Sequence, residues 1–273
     1  MRYCTFRHGT RTAAGRLEGE AVVDLSDGGR WGDLGAYLQA LDGGERVPDG
    51  PALPLSQIRL LAPVPRPPKI VAVGLNYAGH AAEQQKTPPS YPMFFAKART
   101  CVVGPDDPIR LPEGRRYIDV EVEFAVVFGR RAQNVPASRA MEAIFGFTIL
   151  NDVSDRKAQK DDKQFYRAKS WPTFAPTGPV VVTPDEIDLE RARIELVRSG
   201  HPQQDADLSQ LIFKVPQLVE MLSSFQEIEP GDLLATGTPS GVGVFRDPPV
   251  YLVPGDLVEC RLEGIGVLRN PVV

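Results

Sequence analysis

Tyr-Ile-Asp-Val-Glu-Val-Glu-Phe-Ala-Val-Val-Phe-Gly, residues 117–129, reads as a buried strand that carries two acids one residue apart. Val120, Val122, Phe124, Val126 and Phe128 alternate with Glu121, Glu123, Ala125 and Val127. Successive side chains of a strand point to opposite faces, so this register sends both carboxylates to one side. Burying an unpaired carboxylate costs on the order of several kcal/mol, and two together repel, so the pair requires a cation, a shared proton or open water. A wetted sheet face satisfies the same pattern, because antiparallel sheets often expose one side.

Runs of this kind recur on both sides of that stretch. Short apolar segments with turn signals between them predict strands at 70–73, 93–95, 120–128, 147–150, 180–182, 194–197, 232–235 and 257–262. Helical periodicity is confined mainly to 137–145 and 215–225, the second with Leu218, Val219, Leu222 and Phe225 on one side. Regular βαβ alternation is excluded, and Gly-Thr-Pro-Ser-Gly-Val-Gly (237–243) is not the glycine fingerprint of a dinucleotide-binding fold. The expected fold class is mixed α/β and β-rich.

Residues 1–62 read as a small N-terminal α+β domain, with strand-like pieces at 2–6 and 21–25 and an amphipathic helix at 31–41 that Gly43-Gly44 ends. The following Ala-Pro-Val-Pro-Arg-Pro-Pro (62–68) forms neither helix nor central strand, because proline fixes φ and removes amide donors. It marks the boundary to a larger domain, 69–273.

A net charge of -4 argues against nucleic-acid partners, whose phosphates are met by Lys and Arg clusters. No apolar run approaches the roughly 20 residues that span a bilayer, and the start, Met1-Arg2-Tyr3-Cys4, lacks a signal peptide's apolar centre. A cytoplasmic protein without a membrane partner is expected. Cys4, Cys101 and Cys260 form no CxxC, so they signal neither a zinc site nor a disulfide framework.

A third carboxylate, Asp152, ends the apolar run in Gly-Phe-Thr-Ile-Leu-Asn-Asp-Val-Ser-Asp-Arg (146–156), where a neighbouring strand can bring it beside Glu121 and Glu123. Alone it also suits a helix cap or a turn. An all-carboxylate set favours a hard cation, Mg²⁺ or Mn²⁺ before Ca²⁺. Arg156 and Gln159 lie four and seven residues beyond Asp152, on one helical face, and Lys169 follows in Tyr-Arg-Ala-Lys-Ser-Trp. Such groups balance a carboxylate site and bind an acidic substrate, or they are ordinary surface charges. His80 and Glu83, three apart in Gly-Leu-Asn-Tyr-Ala-Gly-His-Ala-Ala-Glu (74–83), place a carboxylate against an imidazole. That contact orients a general base, or simply satisfies a structural histidine.

In this order the segments resemble the fumarylacetoacetate hydrolase family from about Lys69 to Asn270. The resemblance rests on residues 74–83, 119–129, 151–159, Ala-Lys-Ser (168–170), Pro-Thr-Gly-Pro (176–179), 230–243 and Gly-Ile-Gly-Val-Leu-Arg-Asn (264–270). It implies a β-rich catalytic fold, a homodimer, and a Mg²⁺ or related ion held by Glu121, Glu123 and Asp152. It also implies a catalytic set of His80, Glu83 and Lys169, and substrate contacts from Arg156, Gln159 and Thr238. Two departures stand out. Pro172 replaces an aspartate that many members carry three residues after the lysine, and His201-Pro202-Gln203-Gln204-Asp205 keeps a glutamine but lacks the usual Asn-Gly-Glu turn.

The leading expectation is metal-dependent hydrolysis of a carbon–carbon bond in a β-diketo acid, such as an acylpyruvate or fumarylpyruvate, in small-acid or aromatic catabolism. The same chemistry serves decarboxylation of a 2-oxo acid of the oxaloacetate type, or isomerisation of a hydroxydienedioic acid. A catalytically silent metal-binding protein is the reading from another class.

Overall fold

Every residue of Val122–Phe128 is buried in the computed structural model, which describes residues 1–273. The strand runs antiparallel to Ile144–Asn151 on one side and to Leu233–Ala235 on the other. A strand that is central and covered on both faces has no wet side, so the solvent reading of the two glutamates falls. Only Glu123 owes its direction to strand alternation. Glu121 precedes the strand, at a break that follows the short strand Ile118–Asp119. There its carbonyl accepts from Asp152 N–H at 2.8 Å and its N–H donates to Asn151 Oδ1 at 3.2 Å.

The central strand belongs to a 12-stranded sheet. From one edge its main path runs Ala52–Pro54, Ala21–Asp24, Arg11–Glu18, Arg2–His8, Ala175–Val182, Ile144–Asn151, Val122–Phe128, Leu233–Ala235, Ile70–Gly74 and Met93–Lys97. Residues expected as a separate N-terminal unit therefore extend the same sheet, through Arg2 opposite Val182 and Tyr3 opposite Val181. Apolar packing is also continuous: Phe6, Leu34 and Leu38 share one core with Phe124 and Phe147. A second sheet of four strands, His201–Asp207, Arg193–Arg198, Leu257–Leu262 and Gly266–Pro271, lies off this path.

The first helix spans Leu34–Asp42, three residues later than its apolar period predicts, because the Asp33 side chain caps it by accepting from Ala36 N–H at 2.9 Å. Trp31 stays in the core ahead of it. The helix Val215–Phe225 forms where its pattern places it. The predicted helix at 137–145 is instead a 3₁₀ turn, Ala137–Glu142, since the β-branched and aromatic run from Ile144 is taken by the sheet. No helix is long and apolar enough to cross a membrane.

Candidate active site

Three elements deliver the carboxylates. Glu123 is carried by the central strand, Glu121 by the break before it, and Asp152 by the residue after Ile144–Asn151. Their ligand oxygens lie within 4.8 Å of one another, and all three side chains are buried. This geometry makes the triad a place that can hold a divalent metal.

Cations surround the triad. Lys169, on the short helix Tyr166–Lys169, donates to Glu121 Oε2 at 2.5 Å and to Asp152 Oδ2. Arg156 opens the helix Arg156–Asp162 and uses all three nitrogens within the protein: Nη2 to Glu121 Oε1 at 2.7 Å, Nε to Asp119 Oδ2 at 3.0 Å, and Nη1 to Gln159 Oε1 at 3.0 Å. Lys97, at the end of Met93–Lys97, donates to Asp152 Oδ1 at 2.5 Å with its side chain fully buried. Four carboxylates, counting Asp119, thus face three side-chain cations. The oxygen-only donor set and the residual negative charge both fit a hard divalent ion.

The charges polarise the two glutamates in opposite directions. Burial raises Glu121, but Arg156 and then Lys169 outweigh it and hold the carboxyl well below its usual range. Glu123 is pushed well above the usual range by burial first and then by Asp152 and Glu121, with only the Gly237 N–H bonded to it, at 2.8 Å. Burial works against the charge of Lys169, yet Asp152 and Glu121 keep its pKa above the ordinary lysine value.

The other wall carries His80 on the helix Ala78–Glu83. His80 Nδ1 lies 2.6 Å from Glu83 Oε1, and His80 Nε2 lies 2.8 Å from Gln84 Nε2. Gln84 Oε1 accepts from Lys86 Nζ at 2.8 Å. Lysine is a donor only, so this contact fixes the amide orientation and leaves the Gln84 N–H facing the ring. His80 Nε2 is therefore an acceptor, and the proton sits on Nδ1 toward Glu83. Glu83 Oε2 in turn accepts from Gly241 N–H at 2.8 Å. Only glycine serves there: φ is +101°, and an added Cβ would lie 2.0 Å from the Gln203 carbonyl oxygen.

A cavity of about 480 Å³ is lined by the triad together with His80, Gln84, Arg156, Gln159, Lys169 and Thr238, and by Phe95, Phe165 and Phe245. Residues 69–273 match the family described as Fumarylacetoacetate (FAA) hydrolase C-terminal, and residues 1–63 match Rv2993c-like, N-terminal.

The chain belongs to the fumarylacetoacetate hydrolase superfamily.

Among its relatives is the mitochondrial oxaloacetate tautomerase FAHD2A of Bos taurus, 44% identical over 226 residues, which cover 82% of this chain and 72% of the relative. The structure of 5-carboxymethyl-2-hydroxymuconate delta-isomerase from Mycobacterium smegmatis superposes with a TM-score of 0.84 at 36% identity, covering 100% of this chain and 98% of the other. Fumarylacetoacetate hydrolase from Exiguobacterium antarcticum gives 0.89 at 34% identity, covering 100% and 99%. Against the cytoplasmic expectation, the bovine relative is named as mitochondrial.

Within this superfamily fold, the nine residues singled out from sequence converge on one cavity or its immediate support, Glu83 being held behind His80. Two of them are already engaged. Arg156 has no free nitrogen, and Thr238 Oγ1 donates to the Val122 carbonyl at 2.9 Å while accepting from Gln204 Nε2 at 2.7 Å. The departures resolve in physical terms. Pro172 is exposed, and Lys169 is held without an aspartate there, by Glu121, Asp152 and the Lys97 bond to its carbonyl. The segment 201–208 forms a strand, His201–Asp207, from which Gln204 Oε1 accepts from Val122 N–H at 2.9 Å. Sequence reasoning missed Lys97, Asp119 and Gln84. A lysine that ends an apolar run was the available signal for Lys97, but that pattern ordinarily marks a solvated strand end.

Proposed function

We propose that this protein moves a proton on an enolisable 2-oxo dicarboxylic acid, interconverting its keto and enol forms. The observation that carries the reading is the pairing of an acceptor and a charged donor across one cavity. His80 offers an unprotonated Nε2, and Lys169 offers an ammonium that its neighbours keep charged. The tautomerase and isomerase names of the relatives favour the same reading over the carbon–carbon hydrolysis expected from sequence.

In this scheme His80 Nε2 takes the proton from the carbon beside the 2-oxo group, and Glu83 stabilises the resulting imidazolium through Nδ1–H. Lys169 stabilises the negative charge that develops on the oxygen, a preorganised electrostatic contribution. The proton then passes from His80 to that oxygen. Gln159, whose amide nitrogen has no protein partner, is left to hold the substrate's polar end. Mg²⁺ or Mn²⁺ held by Glu121, Glu123 and Asp152 would supply Lewis-acid polarisation of the 2-oxo acid. Arg156 keeps Glu121 ionised and aimed, and Thr238 fixes the backbone of Val122 beside it.

The test follows the ultraviolet absorbance of enol-oxaloacetate with Mg²⁺, with product analysis on oxaloacetate and on an acylpyruvate. Accelerated keto–enol exchange that is lost in Glu121→Ala supports the reading. Pyruvate plus a free acid from the acylpyruvate, with no effect on exchange, establishes the hydrolase instead. Carbon dioxide release from oxaloacetate identifies a decarboxylase. The homodimer implied by the resemblance is checked by light scattering.

A further inference from the structure

Four cations line the cavity, and two of them are already committed. Arg156 is paired to Glu121 and Asp119 and also donates to Gln159, and Lys169 is paired to Glu121 and Asp152, whereas Lys160 has neither a hydrogen bond nor an ion pair, and Lys86 holds only the neutral Gln84 Oε1. Both free lysines are exposed. They come from different segments, Lys160 from the helix Arg156–Asp162 and Lys86 from the stretch after Ala78–Glu83. The cavity also carries an apolar lining of Met93, Phe95, Phe165, Val244 and Phe245. Of the Lys and Arg side chains that line the cavity, only these two are free of a charged partner and so left to meet a further anionic group.

We propose that Lys86 and Lys160 bind the far carboxylate of a dicarboxylic substrate, and that Lys86 does so at the expense of its bond to Gln84, which frees His80 Nε2. The inference rests on the tautomerase reading for its substrate class. Its mechanical part follows from one continuous chain of contacts, Lys86 to Gln84 to His80 to Glu83. The Gln84 amide is held toward the ring by the lysine on its other side. Once a carboxylate takes that lysine, the amide loses the contact that orients it, and the ring nitrogen is no longer capped. A monocarboxylic acid reaches the triad but leaves Lys86 where it is, so His80 stays capped. Lys86 and Lys160 are in this way specificity determinants, and Gln84 is a positioning residue that acts through His80.

Binding of unreactive analogues separates this proposal from the catalytic reading. In the Mg²⁺-loaded protein, calorimetry compares malate, which has two carboxylates, with 2-hydroxybutanoate, which has one. Two exposed charge-assisted contacts give malate an advantage of about tenfold, and K86M/K160M reduces it to within about twofold. The His80 ¹⁵Nε2 resonance, assigned among only three histidines, reports the capping. Malate shifts it and 2-hydroxybutanoate does not, and K86M abolishes the malate shift. In Q84L the resonance stands at its uncapped position without any ligand. Equal affinities for the two acids, or a malate preference that survives in the double variant, overturn the recognition step. A malate-induced shift that persists in K86M overturns the coupling. If the wild-type protein shows both signatures but does not accelerate oxaloacetate tautomerisation, the proposed function falls and this inference stands.

Discussion

Lys97 supports Lys169 from behind: its ammonium donates at 2.5 Å to the Lys169 carbonyl while also holding the Asp152 carboxylate that Lys169 contacts from the other side. One buried lysine thus fixes both the backbone of a second lysine and the acid between them.

Replacing Lys97 with Met leaves Asp152 buried with one cation instead of two. Breaking a buried pair from one side costs about 3–5 kcal/mol, because the remaining charge is uncompensated. Lys97→Met is expected to lower the thermal midpoint strongly and to weaken Mg²⁺ binding. Unchanged values in calorimetry of both unfolding and metal binding would refute the supporting role.

The opposite displacements of Glu121 and Glu123 define two pH windows in the metal-free protein. Glu123 is raised when folded, so its contribution is complete below the ordinary glutamate value of about 4.5 and is lost as pH rises toward its folded value. Glu121 is lowered, so its contribution is present above that value and is lost as pH falls through the acid range. Melting curves in chelator should therefore decline on both sides. Because the raised Glu123 sets a proton in competition with Mg²⁺, calorimetry in two buffers of different ionisation enthalpy should register proton release that grows as pH is lowered. Binding without proton release contradicts the assignment.

Gly241 combines a positive φ with a backbone N–H on Glu83. Gly241→Ala is expected to destabilise the fold by about 1–3 kcal/mol through strain, and to cut turnover about tenfold as Glu83 loses its anchor. Equal turnover in the two proteins, measured well below the variant's melting temperature, would remove Glu83 from the proposed scheme.

Gln204 joins the second sheet to the site, spanning from Val122 N–H to Thr238 and to the Pro239 carbonyl. Gln204→Leu leaves a buried N–H unpaired, which costs about 1–3 kcal/mol. Denaturant melts should show that loss, with a larger fall in kcat than in KM if Val122 sets the direction of the neighbouring glutamates. A melt unchanged from wild type would mean that Val122 finds another partner.

The legible part of this protein was whatever one element's periodicity carries. Apolar runs located the strands at Ile70–Gly74, Ile144–Asn151 and Leu257–Leu262, and the clustering of acids pointed to a cation. Arg11–Glu18 was invisible because Arg-Thr-Ala-Ala-Gly-Arg-Leu-Glu lacks apolar alternation and has a single β-branched residue, Thr12. Glu121 was grouped with Glu123 for an incomplete reason, since an interruption of the strand and not the pleat directs it. Lys97, Asp119 and Gln84 lay beyond reach for a common cause. Each matters through a partner distant in sequence or through an amide orientation that only a third residue fixes. Hydrolysis was favoured from the presence of His80 and Glu83 alone, without the Gln84 amide that meets the ring.

The splice between Arg2–His8 and Ala175–Val182 bears on any attempt to trim the protein to the region that carries the nine candidate residues. Removing the first 62 residues would strip the partner from Val181 and Val182, leaving a run of bare valine backbone two strands away from Glu123. Such a rim invites pairing with whatever strand it meets. The N-terminal segment therefore serves this enzyme fold as a hem, and a shortened chain should be judged first by whether it stays dispersed.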